Sequence, residues 1–185
     1  MNNKEPEFEG HPLFDTAGRM LYCDRQLLSH PSLRAFLEAM PDGALDDWDA
    51  ARQFMVSYAS TAGTYSRFRG ELQRFLLFLW IRRERTLPHC ESNDIDLYMR
   101  FLRKPPASWC GGKGCQAFVD SEGVRKRSEQ WRPFTSTNAV QQETINAASR
   151  ALTAFFRSLV DRGYMNRSPM AGARKREQKA ERKGR

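Results

Sequence analysis

The chain has 185 residues, of which 40% are apolar, so it is long enough for one compact domain and too apolar for a disordered protein. Its richest apolar stretch runs only from Phe75 to Ile81, far short of the ~20 residues that span a bilayer. The N-terminus has no basic-then-apolar signal pattern. We therefore expect no contact with a membrane and a cytoplasmic location, in which the cysteines are reduced thiols.

The net charge of +8 is distributed unevenly along the chain. Residues 1–49 hold 4 basic and 10 acidic side chains, residues 50–173 hold 19 and 10, and residues 174–185 hold 7 and 2. An acidic head therefore precedes a basic body and a basic tail. This asymmetry favours a polyanionic partner for the body.

Residues 1–44 show no sustained hydrophobic period, and we predict that they form an acidic N-terminal arm. Prolines interrupt this stretch, although residues 33–40 could form a short helix. Asp42 and Gly43 mark a turn before the first clear helical pattern. The folded domain is predicted to span residues 45–172, and residues 173–185 are interpreted as a basic linker or tail.

Helical periodicity begins at Leu45, and from there apolar residues recur three or four positions apart. Gly63 and the preceding Ser60 and Thr61 interrupt this pattern, and Gly163 lies where a left-handed helix cap is expected. Two long helices with matched apolar stripes suit a packed pair of helical hairpins. We predict an all-α bundle of about four to five helices, the clearest of which cover about residues 45–58, 65–80, 93–104 and 138–162.

The segment 107–136 has a different character, and we predict a small β-hairpin-like insertion there. Gly111, Gly112 and Gly114 favour a loop. Residues 116–119 and 131–134 have strand-like composition, with a turn expected over residues 120–123 between them.

No familiar pattern of an active site is present. The chain has neither a phosphate-cradling glycine loop nor a nucleophile elbow. His11, His30 and His89 lie in proline-flanked turns, and we interpret them as exposed loop histidines. We interpret the paired carboxylates as helix-start residues: Asp46 and Asp47, and Asp94 and Asp96.

A zinc site is conceivable but fits the spacing of its ligands poorly. One pair of candidate ligands is adjacent in sequence, and the other is spaced around glycines, which suits tetrahedral ligation badly. We therefore predict no metal and no cofactor. The four residues considered are His89, Cys90, Cys110 and Cys115.

Two helix starts carry side chains suited to nucleic acid. Residues 64–69 offer hydroxyls and guanidiniums where the free backbone N–H groups of a helix start can bind phosphate. Residues 141–146 offer amides, which can address base edges in the major groove. Both positions favour contact with double-stranded DNA.

Three motifs in this order resemble the core-binding domain of tyrosine recombinases, the phage integrase family. The resemblance covers about residues 45–172. The motifs are Ser60-Thr61-x-x-Thr64-Tyr65 with Leu72, Phe75 and Trp80, then Asp94-Ile95-x-x-Tyr98-x-x-Phe101-Leu102, then Thr144-Ile145-Asn146 followed by Phe155-Phe156, Gly163-Tyr164 and Pro169-Met170.

The resemblance implies a SAM-like bundle of two crossed helical hairpins that closes over one face of duplex DNA beside other recombinase protomers. In that family a separate catalytic domain exchanges strands through a phosphotyrosine intermediate. The residues after Pro169 contain no His-x-x-Arg pair and no arginine–lysine–histidine–tyrosine constellation, so we expect no catalytic residue here. Position matching implies these DNA contacts: Thr64, Arg67, Arg69, Gln142, Thr144 and Asn146, with Arg174, Lys175 and Arg176 in the linker.

Two other functions remain open at this point. The chain could be a stand-alone helical DNA-binding regulator that keeps the module without the enzyme. It could instead be a helical protein–protein interaction module whose basic face is incidental.

Overall fold

The computed structural model describes residues 7–23, 31–138 and 140–172. Most of these residues are helical, and two short strands form an antiparallel pair, which confirms the predicted helical bundle with a small hairpin. The elements are α1 (Ala17–Met20), α2 (Pro31–Glu38), α3 (Ala44–Val56), α4 (Ala62–Leu77), α5 (Ser92–Arg103), β1 (Phe118–Ser121), β2 (Val124–Arg127) and α6 (Gln142–Asp161).

The core of the bundle is formed mainly by α3, α4, α5 and α6. Phe75 of α4 lies edge-on to Tyr98 of α5 and to Phe156 of α6, with ring centroids 5.1 and 5.6 Å apart. All three rings are fully buried. The apolar faces that the sequence predicts for α4, α5 and α6 therefore pack against one another, as expected of amphipathic helices.

Helix α4 continues into a π-helical turn over Phe78–Arg82, where successive side chains are buried against different neighbours. Phe78 packs on the rings of Tyr98 and Phe101, whereas Trp80 donates its indole N–H to Asp47. The far end of α4 and the turn that follows it are therefore buried on more than one side.

The last helix begins at residue 142 rather than near residue 138, and Val140, just before it, donates its backbone N–H to the carbonyl of Arg103. Its other end agrees with the expected left-handed cap. Gly163 has a φ of 72°, and the N–H of Tyr164 reaches the carbonyl of Leu159 at 2.9 Å.

Part of the predicted acidic arm is packed into the bundle. Leu13 and Phe14 are fully buried. The N–H of Leu13 donates to Gln73 at 2.7 Å, and its carbonyl accepts from the indole of Trp48 at 2.9 Å. Residue 45 is therefore not the boundary of the folded core, and residues 7–16 show no period because they pack without regular secondary structure.

One histidine differs from its predicted environment. His11 is 1% exposed, and its two ring nitrogens lie at hydrogen-bond distance from the carbonyl of Pro12 and the hydroxyl of Ser32, which satisfies both of them. His89 is exposed, as expected. His30 lies outside the described residues.

The hairpin exists, but its second strand is residues 124–127 rather than residues 131–134. Glu122 and Gly123 both have positive φ, of 51° and 75°, which gives a two-residue turn of the type that matches strand twist. This short turn pairs Ser121 with Val124, so the second strand begins at once. Phe134 instead forms an isolated bridge with Cys110.

An aromatic cluster fixes the insertion to the bundle. Trp109 lies 4.9 Å from Phe8 and 5.0 Å from Phe101, measured between ring centroids. Phe134 lies 5.8 Å from Phe101, and Trp131 lies 6.2 Å from Phe8. Segment 107–136 is therefore a packed part of the domain, held between α5 and the N-terminal segment.

Candidate nucleic-acid interface

The two helix starts singled out in the sequence lie at the same end of the bundle. Helix α3 runs antiparallel to both α4 and α6. Near its start Asp47 accepts hydrogen bonds from Trp80 and Tyr164, whereas near its end Phe54 packs on Phe68 and Phe155. Helix α6 in turn begins beside the end of α5, where Arg103 donates to Gln142. Helices α4 and α6 therefore point the same way, and their first turns share one end.

The start of α4 presents polar side chains outside its buried stripe. Arg67 is exposed, whereas Thr64 and Arg69 are half-buried. The aromatic rings of Tyr65 and Phe68 point into the core. No side chain caps the first turn, so its backbone N–H groups remain suited to an anion.

The start of α6 presents a pair of amides on one face. Gln142 and Asn146 are exposed and one turn apart, and the Nε2 of Gln142 donates to Oδ1 of Asn146 at 3.0 Å. Thr144 is half-buried beside the buried Ile145. The two amides can exchange their mutual hydrogen bond for contacts to base edges.

Sequence reasoning missed one residue at this end. Arg103, in the last turn of α5, is exposed and bonds Oε1 of Gln142 at 3.3 Å. Lys104 follows it and is also exposed. A cation in the last turn of a helix is ordinarily explained by the helix dipole, so only the packing of α5 against α6 assigns Arg103 to this surface.

The remaining predicted contacts, Arg174, Lys175 and Arg176, lie outside the described residues. One cation of the insertion is already paired. Arg125 binds both carboxylate oxygens of the buried Asp15, at 3.0 and 2.8 Å, so it anchors the hairpin.

A cleft at the opposite end of the bundle is acidic. A cleft of about 620 Å³ near the end of α6 is lined by four aspartates and one arginine. Asp47 is the most buried of the four and accepts hydrogen bonds from Trp80, Leu87 and Tyr164. It is thus more than a helix-start residue, because it holds three elements together. This cleft is unsuited to a polyanion.

The thiols considered for zinc do not assemble into a metal site. Within residues 7–23, 31–138 and 140–172, no three histidine, cysteine or acidic side chains form a group that could hold a metal ion. Burial raises the pKa of the Cys90 thiol and also that of Cys110, which disfavours the thiolate forms that bind zinc.

Among the helices that the structure describes, none is both long and apolar enough to cross a bilayer. No protein-family model, curated protein or solved structure matches this chain.

Proposed function

We propose that this chain binds double-stranded DNA as the non-catalytic core-binding module of a site-specific tyrosine recombinase. The resemblance of three ordered motifs supports the proposal. It is also supported by the bundle, in which the helices that carry the first and third motifs start at one end.

The observation that carries the proposal is the chemistry of that end. Arg67 and Arg103 supply exposed cations, and Gln142 and Asn146 supply exposed amides, at the uncapped starts of two parallel helices or beside them. Cations and helix N-termini bind phosphates, whereas amides read bases. One surface therefore combines affinity with a means of sequence preference.

The parent reaction would be strand exchange through a covalent phosphotyrosine. In our proposal this chain contributes affinity and register on the recombination site, and other protomers bind the same DNA. The acidic cleft at the far end of the bundle would face away from the duplex, because four aspartates line it.

Salt-dependent binding tests the proposal. We expect the full chain to bind a generic fluorescent duplex weakly, with a log–log salt slope of about −4 to −5 if about five phosphates are neutralised. Fluorescence anisotropy between low and moderate salt measures this slope. A slope near zero would contradict DNA binding and favour a protein–protein module.

The basic tail needs its own control, because it could bind DNA without the bundle. Arg174, Lys175 and Arg176 can be replaced together by alanine in the full chain. We expect a shallower slope that stays clearly negative. If binding disappears entirely, the bundle has no DNA-binding surface and the proposal is wrong.

A further inference from the structure

Helix α6 has one outward face that continues from the proposed DNA interface. Its inward face is buried from Ile145 to Leu159. On the outward side, polar residues recur four or three positions apart, so helix geometry aligns them. In chain order this outward face consists of Gln142, Asn146, Arg150, Thr153 and Arg157. Thr153 is half-buried and the other four are exposed. The two amides of the interface are therefore followed by two arginines on the same face.

The two arginines also line one groove, which lies between α6 and the end of α3. Its volume is about 480 Å³, and Phe54 and Tyr58 line it from the α3 side. The ring of Tyr58 also packs on Phe68 of α4, with 4.7 Å between the centroids. Tyr58 therefore links this groove to the first half of α4, which carries the other part of the proposed interface.

The groove carries a net positive charge, because three arginines and one aspartate line it. That aspartate, Asp161, lies 3.9 Å from Arg157, and both side chains are mostly exposed, so the pair is weak. Arg162 donates a hydrogen bond to Gln53. Among the residues that the structure describes, no carboxylate lies within ion-pair distance of Arg150. The charge of Arg150 is therefore available to a ligand.

The spacing of the two arginines suits the backbone of a nucleic acid. Arg150 and Arg157 are two turns apart, which is ~10 Å along the helix axis. One strand of B-DNA rises about 3.4 Å per nucleotide, so this distance corresponds to about three nucleotides. Each guanidinium can therefore meet a different phosphate and form two parallel hydrogen bonds with it. A duplex fits better than an acidic protein segment, because the same face begins with amides that can read bases.

We propose that the sugar–phosphate backbone of the duplex follows this face of α6, and that Arg150 and Arg157 each bind one phosphate there. The inference rests on the proposed function and extends it, because that function assigns contacts on α6 only as far as Asn146. Arg162 lines both this groove and the acidic cleft. We therefore expect the contact to end near Arg157.

Arg150→Gln and Arg150→Lys in the full chain test the inference. We expect the glutamine variant to bind duplex DNA about fivefold more weakly, with a salt slope shallower by about one unit. The lysine variant should keep the slope, because it keeps the charge. Arg157→Gln should have a smaller effect in the same direction, because Asp161 already offsets part of its charge.

Arg82→Gln is the matched control. Arg82 is also an exposed arginine, but it lies in the turn after α4, at the end of the bundle where Trp80 bonds Asp47. We expect this variant to bind like the wild type. A loss equal to that of Arg150→Gln would overturn the inference, because the effect would then reflect net charge alone.

The other outcomes separate this inference from the proposed function. If the wild type binds duplex with a steep slope and Arg150→Gln behaves identically, DNA does not follow this face, and the proposed function stands without the inference. If the wild type does not bind duplex, both are wrong. A slope in Arg150→Lys as shallow as that of the glutamine variant would also contradict the inference, because the charge would then not account for binding.

Discussion

The hydroxyl of Tyr164 donates a hydrogen bond of 2.7 Å to Oδ1 of Asp47, which ties the segment after α6 to the first turn of α3. The other carboxylate oxygen accepts from the Trp80 indole at 3.0 Å and from the N–H of Leu87 at 2.9 Å. Burial raises the pKa of Asp47 to about 6, against the opposing effect of these hydrogen bonds.

We expect Asp47 to make stability fall as the pH rises. Its folded pKa lies above the unfolded value of 3.8, so the stability it contributes is complete below about pH 4 and is lost as the pH rises through 6. Asp47→Asn preserves the shape and removes this titration. Between pH 4 and 7 the variant should gain up to about 3 kcal/mol in unfolding free energy relative to the wild type.

Urea unfolding at several pH values measures this change. Asp42→Asn is the control, because Asp42 is exposed in the same cleft. A wild-type-to-Asp47→Asn difference that stays constant from pH 4 to 7 would contradict the prediction.

Arg125→Gln should destabilise the fold, because it leaves the buried Asp15 carboxylate without the partner that binds both of its oxygens. We expect a loss of about 3 kcal/mol, as for the removal of one partner of a buried ion pair. Arg127→Gln alters the exposed neighbour two residues on and should change stability by only about 0.5 kcal/mol. Thermal and urea unfolding compare the two variants.

The cost of Arg125→Gln should also depend on pH. Burial raises the pKa of the Asp15 carboxyl, but hydrogen bonds from Arg125 and the N–H of Thr16 outweigh it and hold the pKa below its ordinary value. The stability from this pair is therefore present above about pH 4 and lost as the pH falls further. An undiminished cost at pH 2 to 3 would show that the pair does not act through charge.

Mutations at the start of α4 and at the start of α6 should change different properties of DNA binding. Arg67→Ala and Arg69→Ala should weaken binding to every duplex by about 1 kcal/mol each, and should reduce the salt slope by about one unit each. Gln142→Ala and Asn146→Ala should mainly reduce preference for the cognate site, by roughly 1–3 kcal/mol where a base contact is lost. Anisotropy with matched specific and random duplexes measures both effects.

Melting temperature is the control for these four variants. Substitution of the exposed Arg67, Gln142 or Asn146 should change stability by only about 0.5 kcal/mol, and the same measurement shows whether loss of the half-buried Arg69 disturbs the fold. Variants that melt normally and bind like the wild type at both clusters would place the DNA surface elsewhere.

We predict that this chain forms no covalent adduct with DNA. Tyr65 and Tyr98 are buried, and burial raises the pKa of both phenols. Tyr164 shares the acidic cleft with His89 and Arg162, but its hydroxyl is bonded to Asp47. A suicide duplex that traps phosphotyrosine intermediates checks this. An adduct that disappears in Tyr164→Phe would reveal an active site in that cleft.

The local sequence determined the helices, one helix end and the presence of the hairpin. Apolar residues three or four positions apart are sufficient to define the buried face of α4 or α6, because helix geometry alone aligns them. Gly163 likewise marked the C-terminal end of α6, since glycine readily adopts positive φ. The polar starts of α4 and α6 could be recognised for the same reason, as residues off the apolar stripe.

Only the tertiary structure decided which distant groups meet. Leu13 and Phe14 are core residues without a period, because they lie outside regular secondary structure and pack against helices remote in sequence. Asp15 finds its partner Arg125 110 residues away. Such pairings depend on how the elements pack, which local periodicity does not encode.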